Sequence, residues 1–168
     1  MREDIVTIRR ALPDDADAFR AIRLEALRCE PSFFASSYDD WACLSEPDWK
    51  QRLADPVFIA FQRDEPVGIM GVLLQRAKKM AHRATIIMVY VRKALRGTDV
   101  ARDILSAVVA HARQDGVRQL ELTVSAENPA AIRFYTREGF MTVGRIPGGF
   151  LEDGQEIDDI IMVRRLTA

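Results

Sequence analysis

Two short stretches of this chain carry residues whose types and spacing can do chemistry. The first runs from Ala84 to His111, ATIIMVYVRKALRGTDVARDILSAVVAH, and reads as a buried strand, a short basic loop and an amphipathic helix. Such a loop aims unpaired backbone N–H groups and a helix N-terminus at one place, and that place suits a phosphate. Arg92, Lys93, Arg96 and Arg102 cluster around the expected helix start. The second stretch is Asn128 to Phe140, NPAAIRFYTREGF. Asn128 is a good N-cap and Pro129 a good first helical residue. Tyr135 follows Asn128 by two helical turns, so the amide and the phenol share a face.

The other reactive side chains are less organised. Cys29 and Cys43 form no CxxC pair, and no histidine lies near enough to complete a metal set, so no metal is expected. Both thiols read as buried or half-buried in a reducing compartment. His82, just before a strand, and His111, on a helix, read as surface or capping residues.

The positioning elements follow from periodicity and punctuation. Asp4 to Arg9 alternates as a strand; Pro13 and Asp14-Asp15 start a helix whose apolar stripe, Phe19, Ile22, Leu24 and Leu27, runs to Arg28. Glu30-Pro31 ends it. Pro31 to Pro47 is a loop with a turn of helix, in which Phe33 and Phe34 read as core and Tyr38 and Trp41 as core or pocket lining. Ser45, with Asp48 three residues on, caps a helix to Ala54. Val57 to Gln62 and Val67 to Gln75 form a hairpin about the polar turn at Arg63 to Pro66. Gly68 and Gly71 mark a bulge or a close backbone approach.

Ala84 to Val91 is apolar enough for a strand buried on both faces. Gly116 ends the next helix, and Gln119 to Ser125 alternates as a strand. Gly139 ends the Asn128 helix. Met141 to Ile146 is a strand, Pro147-Gly148-Gly149 and Glu152-Asp153-Gly154 are turns, and Ile157 to Leu166 is the last strand. The strand–helix–strand units predict a mixed sheet with a parallel centre.

Composition bounds the rest. A chain of 168 residues, 48% hydrophobic and 29% charged, fits one domain over 1–168 with a real core. A net charge of −1 gives no electrostatic case for nucleic acid or an anionic membrane. MREDIVTIRR lacks the apolar core of a signal peptide, and Ile86 to Val91, the longest apolar run, is too short to span a bilayer. A cytoplasmic protein is expected.

Val89 to Leu105, VYVRKALRGTDVARDIL, resembles the strand, loop and helix of the GCN5-related N-acetyltransferases, with Arg96 and Ala101 at the first and last places of [Q/R]-x-x-G-x-[G/A]. Asn128 to Phe140 is close to that family's N-x-x-A-x-x-x-Y-x-x-x-G-F, and the two motifs occur in the family's order. The resemblance covers nearly the whole chain. It implies an α/β fold of the mixed α+β kind. A central, mostly antiparallel sheet would carry a splayed parallel pair, flanked by about four helices.

The resemblance further implies acetyl-CoA as co-substrate, with its pyrophosphate on the backbone of Arg96, Gly97, Thr98, Asp99, Val100, Ala101 and Arg102. Its pantetheine arm would lie along Val89, Tyr90 and Val91. Arg92 or Lys93 is placed to reach the 3′-phosphate. Asn128 would hydrogen-bond the cofactor, and Tyr135 would protonate the departing thiolate, since a phenol's pKa lies above a thiol's.

Some members keep a glutamate base five residues before the asparagine. Here Thr123 stands there, leaving Glu121, two residues back on the same face, either to act through water or to pair with Arg118 or Arg133. The family's central glycine is Asp99, which adds a Cβ and a negative charge beside the pyrophosphate and is expected to weaken binding, unless it serves as N-cap. The acceptor would be a small-molecule or peptide amine, held by Phe34, Tyr38 and Trp41 of the Pro31 to Pro47 loop, by the Val67 to Gln75 strand pair and by the Pro147 to Gly154 turn. Many relatives are dimers, which makes the late strands candidate interface edges for a homodimer. The competing reading is a non-catalytic acyl-CoA-binding regulatory protein of the same fold. A dinucleotide-binding Rossmann enzyme is excluded, because RGTDVA lacks the G-x-G-x-x-G glycines.

Overall fold

Strand β1 (Val6–Arg10) pairs antiparallel with β2 (Val57–Gln62), which pairs with β3 (Glu65–Leu74) across a tight turn. The computed structural model describes residues 5–166, so the start at Asp4 expected for β1 lies outside the described residues. The turn is made by Arg63 and Asp64, both at positive φ (50° and 65°), the pair of left-handed residues a two-residue hairpin demands. The described residues divide into two units, one of residues 5–73 with 86–111, the other of 74–85 with 112–166.

In the first unit a turn of 3-10 helix at Pro13–Asp15 leads into α1 (Ala16–Cys29). Asp15 accepts from the Leu12 N–H and from both ends of the Arg9 guanidinium, which lowers its carboxyl pKa. Helix α1 buries Phe19, Ile22 and Leu27 of the expected stripe and Ala26 beside them, while Leu24 is half-buried. Phe19 meets Trp49 edge-on at 5.2 Å. Trp49 belongs to α3 (Glu46–Arg52), which follows the short α2 (Tyr38–Ala42).

Both short helices start on a reciprocal cap. Ser37 pairs with Asp40, and Ser45 pairs with Asp48. The 31–47 segment thus carries its expected turn of helix as α2, reciprocally capped. Phe33 is 40% exposed rather than in the core, while Phe34 is half-buried. Cys29 and Cys43 are exposed, which corrects the expectation that they are buried or half-buried.

Strand β4 (Arg83–Val91) leads to α4 (Val100–Gln114), ended by Gly116 at φ +77°. Gly68 and Gly71 permit close approach. A Cβ at Gly68 would sit 2.9 Å from Ile104 Cδ1 and 3.4 Å from the Tyr90 carbonyl; one at Gly71 would sit 2.5 Å from Met88 Cε. The register also shifts beside Gly68, between Ala60 and Phe61. Met88 has φ +57°, uncommon for a non-glycine residue and a local bend within β4 that no sequence pattern announces.

In the second unit the first residues of β4, Arg83–Thr85, pair in parallel with Gln119–Glu121 of β5 (Gln119–Ser125). This register covers three residue pairs and ends at Thr85. Helix α5 (Pro129–Arg137) follows, stopped by Gly139 at φ +89°. Strand β7 (Gln155–Arg165) pairs antiparallel with β5 and with β6 (Met141–Glu152). The hydrogen-bonded order is β1-β2-β3-β4-β5-β7-β6, a seven-stranded mixed sheet whose parallel pair is β4-β5.

Strand β6 runs straight through Pro147-Gly148-Gly149, where a turn was expected. The extra residues are absorbed as an irregularity between Ile146 and Phe150, with the Gly148 N–H donating to Asp158 at 2.8 Å. A Cβ at Gly149 would lie 2.7 Å from Asp159, so glycine is required for the close approach. As the edge strand, β6 exposes Met141, Val143, Ile146 and Leu151. No described helix is long and apolar enough to cross a membrane.

Candidate active site

The first part of the site is the loop between β4 and α4. Gly97 sits at φ +79° with open space around its would-be Cβ, so the backbone conformation alone requires glycine here. The conformational demand thus falls two residues before the position where the family motif carries its glycine, and Asp99 is free of it. Among the described residues, the backbone N–H groups of Gly97, Asp99, Ala101 and Arg102 donate to no acceptor. The Thr98 N–H bonds the Leu95 carbonyl, and Val100 N lies a weak 3.4 Å from Thr98 Oγ1. Four unsatisfied donors at one helix start are what an anion would complete.

Asp99 does not cap α4 with its side chain. Its carboxylate is 71% exposed and lies 3.1 Å from Arg102, while its carbonyl accepts the first helical bond from Asp103. Asp99→Gly removes a negative charge beside those donors. We expect about fivefold tighter acetyl-CoA binding, the scale of one screened charge at close range, read by calorimetry; an unchanged affinity removes Asp99 as a penalty.

Two acids, one on α1 and one just past its end, fix this loop, and sequence reasoning missed both. Glu25 accepts from Arg92 at 2.8 and 3.0 Å and from the Tyr90 hydroxyl at 3.1 Å; Glu65 adds a further contact to Arg92 at 3.2 Å. Burial, then the Glu25 charge, push the Tyr90 phenol up. Glu30 holds Arg96 at 2.8 Å, and Arg96 Nε donates to the Val91 carbonyl at 3.0 Å. Arg92 and Arg96 therefore serve as struts between α1 and the end of β4, and Lys93 is left as the exposed cation of the pair expected near a 3′-phosphate. Glu25 and Glu30 lie on no shared helical stripe, so nothing in the local pattern marks them.

The acceptor-side aromatics lie on α2 and the segment before it. Trp41 and Phe34 are half-buried and Tyr38 is 38% exposed. Arg23, which the sequence places between Ile22 and Leu24, is 3% exposed and lies 4.4 Å over Trp41 and 4.9 Å over Phe34. Its inward aim was legible, because it falls four residues from both Phe19 and Leu27.

The other candidate residues lie on α5 and β5, in the second unit. Asn128 Oδ1 accepts the Ala131 N–H at 3.1 Å, so its cap role is real, and its side-chain amide keeps two donors. Tyr135 is 5% exposed, set edge-on between Phe134 and Phe140 at 5.2 and 5.5 Å. Burial alone pushes its phenol pKa up. Glu121 is paired with Arg83, not with Arg118 or Arg133: both its oxygens accept from that guanidinium at 2.9 Å. The bidentate pair holds this carboxylate against Arg83. Glu121→Gln is expected to lower kcat less than about threefold, well under the 10²–10⁴ of a general base; a loss of that larger size in steady-state assays restores it as the base.

The architecture, with donors left open at the start of α4, is that of an α/β protein with a mixed sheet. The model of the acetyltransferase (GNAT) family matches residues 19–140. The chain belongs to that family. It is 28% identical over 137 residues to a mycothiol acetyltransferase of Brachybacterium faecium, aligning 78% of this chain but 39% of that protein. It is 29% identical to an aminoalkylphosphonate N-acetyltransferase of Salmonella typhimurium, over 83% of this chain and 89% of that one. The chain thus spans well under half of the first relative and most of the second. A Salmonella typhimurium structure solved with its cofactor acetyl-CoA shares the fold, with a TM-score of 0.80, 20% identity, and coverage of 98% of this chain and 95% of that one.

Proposed function

We propose that this chain is an acetyl-CoA-dependent N-acetyltransferase that acts on a primary amine by direct attack. The observation that carries the reading is the start of α4, where the backbone N–H groups of Gly97, Asp99, Ala101 and Arg102 have no acceptor among the described residues and Gly97 sits in the left-handed region. Those donors would hold the pyrophosphate of acetyl-CoA, and the backbone of Val89, Tyr90 and Val91 would run beside the amide-rich arm.

The chemistry asked of the side chains is small. A neutral amine attacks the thioester carbon, the carbon–sulfur bond breaks, the nitrogen releases one proton to solvent, and the sulfur takes one from an acid. Tyr135 is the proposed donor. Burial keeps its phenol protonated at neutral pH, and a phenol remains a weaker acid than the thiol it would serve. Asn128 would spend its free amide donors on the cofactor. No side chain is assigned as base, since Glu121 is held by Arg83. The amines named for the relatives, aminoalkylphosphonates among them, are the first acceptors to screen, with amino acids and peptide N-termini after them.

The competing reading, a non-catalytic acyl-CoA sensor, is favoured by Asp99 and by the engaged Glu121. A thermal-shift titration with acetyl-CoA, followed by an amine screen for free thiol, separates the two. Stabilisation with amine-dependent thiol release supports the enzyme. Stabilisation without release from any amine supports the sensor, and no stabilisation removes both.

A further inference from the structure

Arg23 pairs with no acid among the described residues and has no part in the transfer chemistry. It projects from the buried face of α1 and is 3% exposed. Two of its three guanidinium nitrogens, Nε and Nη1, are buried and donate to nothing among the described residues. Glu25 on the same helix is committed to Arg92 and Tyr90, and Glu30, just past its end, to Arg96. Stacking on Phe34 and Trp41 offsets part of the charge, but a guanidinium lying over a ring keeps its N–H edges unsatisfied.

Its surroundings add donors and charge rather than acceptors. Arg52, the last residue of α3, places a second guanidinium 4.4 Å from the same Trp41 ring. The indole N–H of Trp49, whose ring lies 5.4 Å from that of Trp41, is also buried without a partner. Burial, then the Arg52 charge, lower the Arg23 pKa to about 10. A buried cation with free donors, a like charge nearby and no carboxylate is costly unless an anion completes it.

We infer that Arg23, with Arg52 at the exposed rim and Phe34 and Trp41 as walls, binds an oxyanion carried by the acceptor amine. This deepens the acetyltransferase reading and rests on it. The substrate class is a small amine bearing a carboxylate, phosphate or phosphonate, which Arg23 orients by charge-assisted hydrogen bonds.

The test compares 2-aminoethylphosphonate and β-alanine with propylamine, an amine of similar length lacking the anion. Wild-type kcat/KM should favour the anionic amines by about ten- to a hundredfold, the scale of a hydrogen bond to a charged group. In Arg23→Met, which keeps the length and packing of the side chain, that ratio should collapse toward one through KM. A purely structural arginine would lower both substrates together and leave the ratio alone. Arg52→Gln, at an exposed position, covers the case in which Arg23→Met does not fold, and should cut the ratio for the phosphonate several-fold.

A direct readout separates this inference from the activity. Without acetyl-CoA, 2-aminoethylphosphonate should raise the melting temperature of the wild type but not of Arg23→Met, nor as far for Arg52→Gln. That shift with no thiol release would keep the anion site and sink the transferase reading. Equal use of propylamine, or thiol release with anionic selectivity unmoved by both substitutions, overturns the anion site and leaves the transferase standing.

Discussion

Tyr135→Phe is expected to lower kcat by about 10²–10⁴-fold, the range for a positioned general acid, while the acetyl-CoA dissociation constant stays within about twofold. The ring is fixed edge-on between Phe134 and Phe140 and is 5% exposed, so phenylalanine keeps the packing and removes the proton alone. The residue has the right physics for an acid that must not ionise early. Burial disfavours the phenolate, so the folded-state pKa lies above the ordinary tyrosine value of about 10.

The alkaline limb of kcat set by this group should accordingly fall above pH ~10, and should vanish in the Phe variant. Because the pKa is raised, the protonated phenol adds stability that is fully present below the unfolded pKa and is lost as pH rises through the folded one. Stopped-flow thiol release across pH, with calorimetric binding of CoA, measures each quantity. An unchanged kcat removes Tyr135 as the acid, whatever the affinity does.

Ala101→Pro should have the second large effect, and of the opposite kind. Ala101 is the second residue of α4, the position that Pro47 occupies in α3, so proline is compatible with the first turn. Its N–H has no acceptor among the described residues, so no helical hydrogen bond is lost. If that N–H holds the pyrophosphate, the variant loses a charge-assisted bond worth about 1.5–3 kcal/mol, a ten- to hundredfold weaker acetyl-CoA affinity, with kcat at saturation nearly unchanged. The unliganded melting temperature should fall by only a few degrees. An affinity that does not move would take the α4 start out of the site and remove the observation on which the function rests.

The two variants test different halves of one reading, and each has a distinct signature. Tyr135 acts on kcat and its pH profile; the loop acts on affinity. A misfolded site would lower both together, and so is separable from either.

Much of this protein was written in local pattern. Gly116 and Gly139 ended their helices because both lie at positive φ, where glycine has no Cβ to clash. The Ser45–Asp48 pair announced α3 because a cap is made by residues three apart in sequence. Strands β2 and β5 matched their expected spans residue for residue, since runs of apolar or alternating residues bounded by turn signals leave little else to form. The two motifs placed the chain in its family for the same reason, since their residues are close in sequence.

What only tertiary structure decided is whatever depends on partners distant in the chain. Glu121 took Arg83, 38 residues away, over the arginines nearest to it in sequence. Glu25 and Glu30 became supports of the loop because α1 brings them to Arg92 and Arg96. Strand β6 ran through Gly148 and Gly149 because Asp158 and Asp159 of β7 give those glycines something to close upon. The same dependence applies to Arg23: spacing turned it inward, but only the fold shows that Glu25, two residues on, is already taken by Arg92 and Tyr90.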